Sequence, residues 1–324
     1  MIWLILHCNL KEDVFMEKRL VILTAFLLVT IMAMGQARIS LDGKKKVMSA
    51  SASERSSAST LYTQADTMRY RKLVKEAYHA LQDDSFAIAK ARFEAALKAI
   101  PRMDSNVEIY YELGQLEERE GRQRSAVDYY TRAIKKNDHY VKAYLRRGGM
   151  YLLLGDYSEA INDFDNSLSI DNKNNDAYFF RGCTYANSGQ YELAKKDFMT
   201  LLHFNAADER ATYSLALVEL QQGKLDEACV RMNGLLLRYP NKSIYYVTRA
   251  EVYEQLKRKA EAEKDWQQAV DLSPKDIGLI EKYAFFLARQ HRKGDALEVL
   301  KRAESAGVSY TEIDDIRQRI KRYK

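Results

Sequence analysis

The chain has 324 residues, 47% of them hydrophobic and 30% charged, with only 3 prolines and 14 glycines. That much apolar content can build a sizeable core and excludes a disordered chain, while few prolines and glycines favour helix over sheet. The net charge of +6 bears on solubility more than on a partner, and the cysteines Cys8, Cys183 and Cys229 are too few and too scattered for a disulfide framework or a short-spaced metal site.

In chain order, residues 1–15 put an apolar stretch and two acids ahead of a basic region, so they read as an upstream extension with Met16 as the natural start. Residues 16–35 read as a secretory signal. Lys18 and Arg19 precede an uncharged run, LVILTAFLLVTIMAM, and Ala33 and Gly35 stand where a signal peptidase reads small residues. Cleavage is expected after Gly35. The run is short of the roughly 20 residues of a comfortable membrane span, so an uncleaved anchor is the alternative. Either way the chain is expected to be exported, as a periplasmic protein or one anchored facing the periplasm. Residues 36–69, rich in Ser, Ala and Lys and including Lys44, Lys45 and Lys46, read as a linker running into the first helix.

From residue 70 the chain repeats itself. Tyr144–Tyr151 and Tyr178–Tyr185 are alike at an offset of 34, and Gly121, Gly155, Gly189 and Gly223 step by the same interval. So do Ala126, Ala160, Ala194, Ala228, Ala262 and Ala296. With Ala89 in front, seven units cover residues 70–310, and Asp104, Ser105 and Asn106 form the one insertion. Pro101, Pro240 and Pro274 all occupy the thirty-second place of their units. Each unit reads as two helices with a glycine-assisted turn between them. Gly114, Gly148 and Gly182 remove bulk in the first helix, the recurrent alanine does so in the second, and an aromatic four places on (Phe93, Tyr130, Phe164, Phe198, Trp266) fills the space alongside.

This period and these motifs resemble the tetratricopeptide repeat, over most of the chain. The resemblance implies an all-α fold, a right-handed α-solenoid of antiparallel helix pairs. After the last unit, residues 311–324 read as a capping helix, with Thr311 as its N-cap, Asp314 completing the start, and Ile313, Ile316, Ile320 and Tyr323 on one face.

Paired changes among the units predict contacts. The seventh and twenty-third places hold Arg147/Asp163, Arg181/Asp197 and Arg249/Asp265, and the first unit reverses the pair as Glu76/Arg92. Where the seventh place is uncharged, the twenty-third is never acidic. These places are expected to touch across the two helices of a unit.

The resemblance also implies a concave groove, lined by the second, fifth, ninth and twelfth places of each first helix, where polypeptide segments bind. Here that lining comprises Tyr111, Leu145, Leu152, Phe179, Cys183, Tyr213, Leu217, Leu220 and Val247, an apolar centre. Its ends are polar, with Glu108, Glu118 and Arg119 at one and Glu251, Glu254 and Glu281 at the other. The same side chains could instead pack on neighbouring helices. The lysine and asparagine clamp of chaperone-tail-binding members is not matched, because no unit has lysine at its fifth place.

The histidines occupy unrelated places, and no HExxH, GxSxG, CxxC or phosphate-cradling loop is present. The expectation is an exported protein-interaction scaffold without catalysis, cofactor, metal or small-molecule substrate, whose partners are other proteins. The alternatives are a membrane-anchored regulatory or assembly subunit, or a binder of anionic surfaces or nucleic acid through the basic C-terminal tail. Export argues against nucleic acid, and membrane contact would run through an uncleaved N-terminal segment.

Overall fold

The computed structural model describes residues 62–323, all of whose regular structure is helical. The expected upstream extension, signal and most of the linker lie outside the described residues. Among the described residues no helix is long and apolar enough to cross a membrane. The chain forms two compact units, divided between Asn187 and Ser188.

The first unit contains α1 (Gln64–Gln82), α2 (Phe86–Ala99), α3 (Asn106–Arg119), α4 (Gln123–Lys136), α5 (Val141–Leu154), α6 (Tyr157–Ile170) and α7 (Asn175–Asn187). The second contains α8 (Tyr191–Phe204), α9 (Glu209–Gln221), α10 (Leu225–Arg238), α11 (Ser243–Gln255), α12 (Lys259–Leu272), α13 (Ile277–Ala288), α14 (Lys293–Ser305) and α15 (Tyr310–Arg322). Consecutive helices pack in pairs, giving the helix-pair solenoid architecture with a terminal capping helix.

Local chemistry marks several starts. Thr63 caps α1 in a capping box: its hydroxyl accepts from the Asp66 N–H at 3.1 Å, and the Asp66 carboxylate accepts from the Thr63 N–H at 3.0 Å. Asp208 and Asp276 cap α9 and α13 through the N–H groups of Ala211 and Leu279. The turn inside each pair needs a left-handed residue. Gly121, Gly155, Gly189 and Gly223 supply it with φ between 71° and 81°. Asp84, Lys257 and His291 adopt the same φ sign at the equivalent place, with a Cβ in the way.

The repeated alanines Ala89, Ala126, Ala160, Ala194, Ala228, Ala262 and Ala296 are all fully buried, as are Phe93, Tyr130, Phe164 and Phe198 beside them. A Cβ on Gly148 would lie 2.8 Å from the Phe164 ring, so this glycine is required by close approach. The insertion is locked in place. The Asn106 side chain is fully buried, donates to the carbonyls of Ile100 and Pro101, and accepts from the Tyr70 hydroxyl at 2.9 Å.

At the C-terminus two expectations are corrected. The cap position of α15 is Ser309, not Thr311, and no side-chain cap bond is made, because the helix starts one turn-position earlier at Tyr310 and the two hydroxyls bond each other at 2.8 Å. Ile313, Ile316 and Ile320 are buried, but Tyr323 is 36% exposed because it lies past the helix end, edge-on to Phe285. The places that would face a partner helix in a further pair hold Asp314, Gln318 and Lys321. Polar groups there let the stack end in water.

Candidate functional site

The first helices of successive pairs lie side by side and are joined by ion pairs along one face. In the first unit Arg146 lies 3.9 Å from Glu118. In the second, Lys282 pairs with Glu251 at 2.9 Å, Arg289 with Glu254 at 2.7 Å and Arg319 with Glu281 at 2.7 Å. Glu254 also accepts from the Trp266 indole. The acids expected at the ends of the groove, other than Glu108, are therefore neutralised by neighbours, and Arg119 stacks on the Phe86 ring at 3.9 Å.

The apolar lining is mostly filled by its own neighbours. Tyr111, Leu152, Phe179, Cys183, Tyr213, Leu217, Leu220 and Val247 are all buried, and only Leu145 is half-buried. Tyr111 lies between Tyr130 and Tyr140, with ring centroids 5.7 Å and 5.5 Å away. Tyr213 packs on Tyr245 at 5.1 Å and shares a hydrogen bond with Thr248. An open apolar groove made of all nine side chains is thus corrected to a packed layer. What that layer leaves accessible in the first unit is Leu145, Arg146 and Glu112, each half-buried, and the backbone of Gly149. A Cβ on Gly149 would meet nothing within 4 Å. Sequence reasoning placed Gly149 on the lining stripe by its spacing but had no signal for the space above it.

Burial pushes the Glu112 carboxyl up to about 7, against the pull of Lys142 and Arg146 and with the help of Glu108. Burial also raises Glu118, with Arg146 opposing. Neither was singled out by a motif, since each is an ordinary exposed-looking glutamate in the helical pattern.

The seventh-place arginines lie on a different side. Arg147 donates to both carboxylate oxygens of Asp163, at 2.8 Å and 2.7 Å, and Arg249 to both of Asp265, at 2.7 Å each. Arg92 lies 3.1 Å from Glu76. Arg181 donates to Asp165 at 2.5 Å, whereas Asp197 belongs to the other unit. Each arginine is flanked by tyrosines three places before and four after, as Arg147 is by Tyr144 and Tyr151 at 5.8 Å and 5.9 Å. Burial pushes the Asp163 carboxyl up, so that its pairing with Arg147 matters. Where Leu215 replaces the arginine, Arg231 reaches the other way, to Glu219 at 2.7 Å. The basic tail is partly committed: Arg317 pairs with Glu304 and Asp314, and Arg319 with Glu281 and Asp315. Among the described residues no group of His, Cys, Asp or Glu could hold a metal ion, and Cys183 and Cys229 are free and buried.

Models described as tetratricopeptide repeat match residues 74–134, 111–176, 176–208, 210–242 and 243–276, together more than half of the chain. The chain belongs to the tetratricopeptide-repeat family. Its structure is similar to the crystal structure of a tetratricopeptide repeat protein from Parabacteroides merdae ATCC 43184, at TM-score 0.66 and 25% identity, over 78% of this chain and 99% of that one. It shares its fold with Pseudomonas aeruginosa PilF, at TM-score 0.52 and 14% identity over 67% of this chain and 98% of that one. The Cut9-Hcn1 hetero-tetramer of the APC/C is likewise similar in fold, at TM-score 0.53 and 13% identity over 78% of this chain and 52% of that one. No curated protein matches. In this tetratricopeptide-repeat chain the recurrent alanines and aromatics build the helix pairs, and the face of the first helices is the candidate site.

Proposed function

We propose that this tetratricopeptide-repeat protein is an exported scaffold of seven repeats that binds segments of other proteins on the face of its first helices. The observation that carries the reading is the indentation at Gly149, where a helix on that face has room for a side chain that the chain itself does not supply. Leu145 and Arg146 stand one turn away on the same helix, so an apolar side chain from a partner can enter while its backbone finds a cation. The uncharged run before residue 35 supports export, and the Ser-rich stretch after it suits a tether.

Two experiments test this. Crosslinked recovery from the native host, comparing wild type with a folded Gly149→Trp variant, should yield a specific polypeptide with the first and not with the second. Equal recovery by both would remove the binding face from the account. N-terminal sequencing of the mature protein should begin at Gln36, and an intact N-terminus on a membrane-free protein would remove export.

A further inference from the structure

We propose that Glu112, at the junction of α1, α3 and α5, is a proton-operated packing switch in the first unit. Its carboxylate is half-buried, and none of its surroundings neutralises it within ion-pair distance. The groups that face it are Tyr78 from α1, Glu108 and Tyr111 from α3, Tyr140 just before α5, and Lys142 and Arg146 from α5. Arg146 is already committed to Glu118 at 3.9 Å, and Lys142 is exposed. Glu108 is one turn away on the same helix, so ionised Glu112 meets a like charge there as well as three tyrosine rings. A protonated Glu112 fits that environment and an ionised one does not.

The sign follows from burial raising this carboxyl from 4.5 in the free state to about 7 in the fold. Between those values the folded chain holds a proton that the unfolded chain has lost. Stability is therefore greatest below the unfolded value and falls as pH rises toward 7. The switch stands whether or not the same face binds a peptide.

The test is carbon-13 NMR titration of the glutamate carboxyls in the full chain, joined to denaturant unfolding at pH 5 and pH 8 of wild type and Glu112→Gln. The expected midpoint for Glu112 is near 7. Relative to the variant, the wild-type folding constant should fall on the order of tenfold from pH 5 to pH 8, less than the full shift would give because the group is partly solvated. A midpoint in the ordinary glutamate range, about 4.3, would overturn the proposal without any variant. So would identical pH profiles for the two proteins.

Discussion

Arg147 holds two second helices at once: it grips Asp163 of its own pair with two hydrogen bonds and reaches Thr131 of the preceding pair with a third, at 2.9 Å. Arg249 repeats this with Asp265 and with Asn233, at 2.7 Å. Thr131 and Asn233 share the twenty-fifth place of their units, and Asp165, the partner of Arg181, occupies it too. The arginine thus ties a pair together and ties it to the one before.

Removing that clamp strands a carboxylate, because the Asp163 side chain is only 1% exposed. Arg147→Ala is expected to cost about 2–4 kcal/mol, most of it from the unpaired buried charge. The double change Arg147→Met/Asp163→Leu should recover most of the loss. Denaturant unfolding of the three variants checks this, and a single-variant cost below about 0.5 kcal/mol would mean that the pair sets nothing.

Gly148 and Gly149 are adjacent yet should respond oppositely. Alanine at 148 drives a Cβ into the Phe164 ring and its packed surroundings, so a loss of about 1–3 kcal/mol is expected. Alanine at 149 enters open space and improves helix propensity, giving a gain of about 0.5–1 kcal/mol. Thermal melts of the two single variants decide the matter.

Lys257 and His291 hold the left-handed turn position with φ of 61° and 60°. Lys257→Gly and His291→Gly should each stabilise by about 0.5–1 kcal/mol, whereas Gly155→Ala, where φ is 81°, should destabilise by about 1 kcal/mol. The same melts read all three.

The helix pairs were legible because their causes are local and recur: small residues at the crossing, an aromatic beside them, and a glycine at the turn. The arginine–aspartate contacts were legible because the units vary together at two places. The third contact, to the twenty-fifth place, was not, since Thr131, Asp165 and Asn233 share only the ability to accept a hydrogen bond. Asn106 was read as part of an insertion, and nothing in its neighbours announced its bonds to Ile100, Pro101 and Tyr70. The lining residues show the limit most clearly. Spacing assigned Tyr111 and Tyr213 to a face, but whether a face is open depends on how the next pair stacks. Tyr130, Tyr140 and Tyr245 come from other helices or connections and cover them. Cys183 and Leu152, buried at 0% and 1%, were likewise placed on the right helices without any sign of their burial.

The central claim is that partners are held on the face of the first helices. Its most direct test is a photo-crosslinking side chain placed in the native host at Leu145, on that face, or at Val230, which is 70% exposed on the second helix α10. The account predicts a discrete crosslinked polypeptide from position 145, lost when Gly149→Trp is added, and none from position 230. Capture from position 230 alone would contradict it and move the binding surface to the second helices.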